Sequence, residues 1–284
     1  MKLRMTVRFW GVRGSIPSPS ASTVRYGGNT SCVTIDLGSS KTLVLDAGTG
    51  IRVLGRSIEK TPSDIFILLS HIHWDHIQGF PFFTPIYQPH RVIYMFPTIH
   101  VNGKAMLSSL IAQMDGAYFP LKPDKLPSRC QFVNEDAMVF LFNHGFGISR
   151  ILTNHPGGGY GYCIENAGRS VVYLTDNELN PPYEKTTTKE DFVRFCENKD
   201  VLIHDAQYTE RDMPHKHGWG HSLVVQACEL AAEANVKLLI LYHHDPDRTD
   251  DELDEIQEFA TAWFKKNKSS TRCTVAYEGL VLEL

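Results

Sequence analysis

Apolar runs of four to seven residues, set between Gly-, Ser-, Pro- and Asn-rich stretches, dominate the 284-residue chain. In the first half, Thr6–Trp10, Cys32–Leu37, Thr42–Asp46, Ile65–Leu69 and Arg91–Phe96 are short and rich in β-branched or apolar residues, the pattern of strands. Ile51–Ile58 and Gly103–Met114 space their apolar residues helically. The second half repeats the alternation. Strands are expected at Ile148–Thr153, Tyr160–Glu165, Val171–Thr175, Val201–His204 and Lys237–Tyr242, with a closing strand over Cys273–Leu284. Helices are expected at Lys189–Glu197, Ser222–Ala234 and Thr249–Lys266, the last opened by the capping box Thr249-Asp-Asp-Glu252. The segment 115–127, with three prolines and the pair Tyr118-Phe119, reads as a loop packed over something else. Strands alternating with helices through two halves predict a layered α/β sandwich. With no linker-like tract, one domain over residues 1–284 is expected.

Composition narrows the function classes. The net charge of -4 lacks the basic footprint of a nucleic-acid binder. The N-terminus is basic without an apolar run, and no stretch approaches a membrane span. Six scattered cysteines, without a Cys-x-x-Cys pair, point to reduced thiols and a cytoplasmic location and away from cysteine-held zinc.

Histidine changes the picture. Thirteen are present, mostly beside apolar runs, and four donors crowd into His71-x-His73-x-Asp75-His76 just after an expected strand. At period two His71 and His73 can point the same way. Asp75 and His76, one turn on, can face a second point, so one hexapeptide can feed two metals. Mixed nitrogen and oxygen donors suit zinc, manganese or iron. Further donors end later strands: His155 after Ile148–Thr153, Asp176 after Val171–Thr175 and His243 after Lys237–Tyr242. Each alone is an ordinary cap or turn residue. Together they complete two sets of three ligands and one shared carboxylate.

These residues resemble the metallo-β-lactamase superfamily, whose hallmark is a His-x-His-x-Asp-His loop followed by His, Asp and His at strand ends. The resemblance covers nearly the whole chain and implies a four-layer αββα sandwich with two divalent metal ions. It places His71, His73 and His155 on one metal, and Asp75, His76 and His243 on the other, with Asp176 bridging. Asp46 in Leu-Asp-Ala-Gly matches an early aspartate that braces the ligand loop. An aspartate rather than a cysteine at the bridging position disfavours true lactamases. His204-Asp205-Ala206, followed by Gly220-His221-Ser222, resembles the ribonuclease Z branch. There a carboxylate orients a histidine that protonates the leaving oxygen, roles that fall on Asp205 and His221; the plainer reading makes His221 only the start of the helix at Ser222. His204, His215, His217 and His244 read as loop or packing residues. Phe9-Trp10-Gly11-Val12-Arg13-Gly14-Ser15 and Tyr26-Gly-Gly-Asn29-Thr30-Ser31 recur together in a bacterial subgroup of these hydrolases. Arg13 and Asn29 are substrate contacts or, equally, an ion-pair and a turn residue.

Ribonuclease Z enzymes carry a long Gly- and Lys-rich arm for tRNA. Here His155 and Asp176 are 21 residues apart, and 91–150 holds no such basic arm. Phe119-Pro120 looks more like a lid over a small pocket. The expectation is therefore two-metal hydrolysis of a small phosphodiester such as a cyclic nucleotide, by a homodimer. The alternatives are an RNA 3′-end endonuclease, a thioesterase or lactonase of the same fold, and a silent metal protein acting as a ligand sensor.

Overall fold

The computed structural model describes residues 5–38, 41–61, 63–96, 110, 112–133 and 136–284. Within them the chain divides into two compact units. One comprises residues up to 17, 29–145 and 278–284; the other comprises 18–28 and 146–277.

The first unit is built on a sheet ordered β13-β1-β2-β3-β4-β5-β6. Its strands are β1 Thr6–Gly11, β2 Cys32–Asp36, β3 Lys41–Leu45, β4 Asp64–Leu68, β5 Val92–Met95, β6 Arg129–Phe132 and β13 Val281–Glu283. β3 to β6 run parallel, and β13, β1, β2 and β3 pair antiparallel. Helices α1 Gly50–Ser57, α2 Trp74–Ile77 and α3 Ala137–Asn143 belong to this unit. The second unit has the sheet order β12-β11-β10-β9-β8-β7. Its strands are β7 Gly147–Thr153, β8 Gly159–Asn166, β9 Arg169–Leu174, β10 Val201–Asp205, β11 Leu238–Tyr242 and β12 Arg272–Val275. β9 to β12 are parallel. Helices α4 Lys189–Cys196, α5 Val224–Glu233 and α6 Asp250–Lys266 complete it.

Period two explains why the central strands read as continuous apolar runs. In β4, Ile65 and Ile67 join the cluster formed with Ile51 and Leu54 of α1, while Phe66 and Leu68 face the other way and are equally buried. In β11, Leu239 and Leu241 join Ala227, Leu230, Leu253 and Ala260 of the helices, and Ile240 and Tyr242 are buried on the opposite face. Strands buried on both faces belong to parallel sheets covered on both sides. The α/β class is thus as expected: each sheet is mixed and carries helices.

Three expectations need correction. The single closing strand is two: β12 pairs with β11 and β13 with β1, because Gly279, at φ 89°, turns the chain between them. The helix expected from Ser222 begins at Val224, where the Gln226 side chain accepts from the Leu223 amide, so His221 precedes the helix instead of starting it. β6 and α3 were not anticipated. The run Ala137-Met-Val-Phe-Leu-Phe142 has strand-like composition, and the Asp136 carboxylate, accepting from the Met138 amide, sets it helical. The helix expected at 103–114 lies mostly outside the described residues. No helix among the described residues is long and apolar enough to cross a membrane. All six cysteines are free, and burial pushes the Cys163 thiol up to about 11.

The capping box of α6 is present as read: Thr249 Oγ1 accepts from the Glu252 amide, and the Glu252 carboxylate accepts from the Thr249 amide at 2.8 Å. Thr249→Ala is expected to cost about 1 kcal/mol, measured as a lower denaturant midpoint at unchanged slope.

Candidate metal and acid–base site

Several of the chemistry-bearing residues lie at or just past the C-terminal ends of parallel strands, where open α/β sheets present ligands. Asp46 follows β3, His71 to His76 follow β4, Asp176 follows β9, Asp205 ends β10 and His243 follows β11. Three of them have left-handed backbone: Asp46 at φ 63°, Asp176 at 48° and His243 at 62°. Asp and His visit this region more readily than most residues, yet each such position costs on the order of 1–3 kcal/mol, which the surrounding structure must over-determine.

In the first unit, His71, His73, Asp75 and His76 are brought together. The rings of His71 and His73 meet edge-on at 4.5 Å, and those of His71 and His76 lie at 4.3 Å. Asp46, fully buried, organises this loop as expected. Its Oδ1 accepts from the Ser70 amide at 2.7 Å, and its Oδ2 accepts from the Ser70 hydroxyl at 2.9 Å and from His76 Nδ1 at 2.8 Å. Because the Ser70 hydroxyl donates to Asp46, it accepts from His71 Nδ1 at 3.1 Å. Both imidazoles therefore hold their proton on Nδ1 and present Nε2 as the lone-pair nitrogen. His76 Nε2 lies 3.2 Å from Asp75 Oδ2, and that oxygen accepts from the Ser15 amide at 2.8 Å. The loop sits tightly on the Asp46–Gly48 backbone: Ala47 N donates to His76 O at 2.7 Å and Gly79 N to Ala47 O at 3.0 Å. A Cβ at Gly79 would lie 2.0 Å from Gly48 O, so only glycine fits.

The second unit gathers His155, Asp176, His243, Asp205 and His221. His155 Nδ1 donates to Gly220 O at 2.9 Å, and its Nε2 lies 3.7 Å from Asp176 Oδ2. His243 Nδ1 donates to Gln207 Oε1 at 3.0 Å, and its Nε2 lies 3.2 Å from Asp176 Oδ1. Asp176 thus spans two imidazoles with its two oxygens. Asp205, fully buried, accepts from His221 Nδ1 at 2.6 Å through Oδ2 and from the Ser222 amide at 3.1 Å through Oδ1. The His221 ring stacks on His243 at 5.1 Å and meets His155 edge-on at 5.3 Å. Asp205, His221 and His243 bring donor atoms within 4.8 Å of one another. The His221–Asp205 contact is a short charge-assisted hydrogen bond.

The other residues singled out by the sequence have the following surroundings. Asn29 is a loop residue: its amide and side-chain nitrogen both donate to Glu278, at 2.6 and 2.9 Å. Arg13 is fully buried, and its backbone forms an isolated β-bridge with Thr30. Phe119 meets Phe82 edge-on at 5.5 Å and packs at the core margin. His204 is buried behind the site, with Nδ1 on Asp205 O, and burial lowers its pKa against the pull of Asp205. His244 donates to Ala276 O. Sequence reasoning missed Ser15, Ser70, Gln207 and Glu178. Gln207 stood three residues after His204, and Ser70 immediately before His71, so adjacency to the motifs was the available signal.

Residues 41–244 match a family model described as a beta-lactamase superfamily domain. The chain belongs to that superfamily. Membership bears out the resemblance drawn from His71-x-His73-x-Asp75-His76. A ribonuclease Z of Exiguobacterium sibiricum is 37% identical over 219 residues, covering 62% of this chain and 70% of that protein. A ribonuclease Z of Halalkalibacterium halodurans is 33% identical over 117 residues, 41% of this chain and 33% of that protein. The chain spans a third or less of the length of several such relatives. The solved structure of the metallo-beta-lactamase fold protein YhfI from Bacillus subtilis covers 100% of both chains at 22% identity, with a TM-score of 0.67, a likeness of fold. The fold implies divalent metal ions, and the donors fit them: buried imidazoles with Nδ1 engaged and Nε2 set 3.2 to 3.7 Å from a carboxylate oxygen.

Asp46→Asn tests the bracing role cleanly, because Asn tolerates the left-handed backbone that Ala would not. The amide cannot accept at both former oxygens. Manganese affinity in a titration of the stripped protein is expected to fall about 10- to 100-fold. Unchanged affinity would remove Asp46 from that role.

Proposed function

We propose that the protein hydrolyses small phosphodiesters of the cyclic-nucleotide kind, using two divalent ions, zinc or manganese. In this reading His71, His73 and His155 serve one ion, Asp75, His76 and His243 the other, and Asp176 both. Ions so held supply charge neutralisation for the phosphoryl oxygens and an activated water.

The observation that carries the reading is the 2.6 Å bond between His221 Nδ1 and Asp205. With Nδ1–H committed to a buried carboxylate, Nε2 is the nitrogen left to deliver a proton. Asp205 stabilises the imidazolium that must exist beforehand, and holds the correct tautomer afterwards. The ring lies against His243 and His155, the ligands of this reading. An alkoxide leaving from phosphorus needs such a donor; a thiolate leaves without one, which disfavours the thioesterase alternative. General acid catalysis of this kind contributes about two to four decades in rate. The ribonuclease Z relatives support phosphodiester chemistry.

The case for a small substrate rests on what lies between His155 and Asp176. That stretch is consumed by the β8–β9 hairpin, closed by Ala167 and Gly168 in left-handed backbone. It leaves no room for a tRNA-binding arm at that point.

His221→Ala is expected to keep its metal content but lose about two to four decades of kcat on diesters with alkyl leaving groups, and much less on nitrophenyl diesters, whose leaving group needs no proton. Equal losses on both would sink the general-acid assignment. Across a panel of cyclic nucleotides, linear diesters and precursor tRNA, cyclic nucleotides are expected to turn over fastest. Preferential cleavage of precursor tRNA would establish the RNA endonuclease reading instead.

A further inference from the structure

The loop from Thr209 to Ser222 carries His221, and its Gly220 carbonyl receives the Nδ1 hydrogen of His155. Placement of this one turn therefore governs two site histidines. The ends of the loop are closed by Tyr208 and Leu223, with Val224 N donating to Tyr208 O at 2.8 Å. Its flank is held by Arg248 on Asp212 at 2.7 Å and by Lys216 on Asp245 at 2.5 Å.

The turn itself is gripped by Glu178. This carboxylate is 2% exposed; its Oε1 accepts from the Gly218 amide and its Oε2 from the Gly220 amide, both at 2.9 Å. Glu178 N donates to Asn154 O, also at 2.9 Å, so the same residue is tied to the neighbour of His155. His217 Nε2 approaches Oε1 at 3.7 Å from the exposed side. The buried charge makes itself felt nearby: burial, and then the Glu178 charge, push the Tyr183 hydroxyl up to about 12. The turn also lies directly on the histidine ring. A Cβ on Gly220 would fall 2.2 Å from His155 Nδ1 and 2.4 Å from Pro156 Cδ, and Gly218 and Gly220 have φ of 88° and 92°. A small shift of the turn must therefore move the ring.

We propose that Glu178 is a positioning residue: by holding the Gly218 and Gly220 amides it aims His155 at its metal ion and sets His221 for proton delivery. The inference rests on the functional reading above for the roles of those two histidines.

Glu178→Gln is the isosteric test. Its amide oxygen can accept from one of the two N–H groups, while its NH2 faces the other donor to donor. Three quantities are measured on the full chain: the melting temperature, Mn2+ affinity in competition with a chelator, and the ratio of kcat/KM between alkyl and nitrophenyl diesters. Mn2+ affinity is expected to fall about tenfold, and the alkyl substrate to lose more than the nitrophenyl one. Unaltered Mn2+ affinity overturns the proposal, whatever happens to the melting temperature. Glu178→Asp, which keeps the charge and shortens the reach, is a second variant judged by the same affinity. If His221→Ala shows no leaving-group selectivity, the acid reading fails on its own, while Mn2+ affinity still decides the effect of Glu178 on His155.

Discussion

Each buried imidazole of this site has two nitrogens, and the protein must satisfy one if the other is to do chemistry. His71 is held through Nδ1 by Ser70, His76 by Asp46, His155 by Gly220 O, His243 by Gln207 and His221 by Asp205. Acceptors at Nδ1 stop the ring rotating and leave Nε2 as the nitrogen turned outward. Much of the local architecture serves this need. The left-handed turn at Asp46 presents both carboxylate oxygens to the ligand loop, and the close approach of Gly79 to Gly48 lets that loop lie flat on it.

The sheets make those acceptors rigid. β4, β10 and β11 are buried on both faces, so the residues leaving their ends depart from fixed points. A buried carboxylate is tolerated only where donors surround it. Asp46 collects the Ser70 amide, the Ser70 hydroxyl and His76; Asp205 collects His221 and the amides of Gln207 and Ser222; Glu178 collects two glycine amides. Removing one donor from such a group leaves charge uncompensated in the interior.

Sequence patterning made the clustered histidines and aspartates legible, because most of them follow strands whose apolar runs are unmistakable. Asp176 and His243 could be placed at strand ends from Val171–Thr175 and Lys237–Tyr242 alone. The bracing groups were harder to see. Ser15 contributes only its backbone amide to Asp75, and any residue has one. Gln207 and Glu178 act across 36 and 40 or more residues of sequence, and no local period encodes such a contact. β6 escaped because Arg129-Cys-Gln-Phe132 is short and partly polar, and β13 because three residues beside a glycine turn carry too little pattern.

Asp205 lies against two imidazoles of the second unit. Its Oδ2 lies 2.6 Å from His221 Nδ1 and 3.5 Å from His243 Nδ1. One carboxylate oxygen therefore faces two imidazoles at unequal distances. The short bond goes to His221, where it favours the cation. The Nδ1 hydrogen of His243 is taken by the neutral Gln207, an acceptor that orients the ring without stabilising its protonation as strongly as a carboxylate would. The same motif, His204-Asp205-Ala206-Gln207, thus supplies a carboxylate partner to His221 and a neutral amide partner to His243. Two rings stacked 5.1 Å apart thus rest on acceptors of different charge.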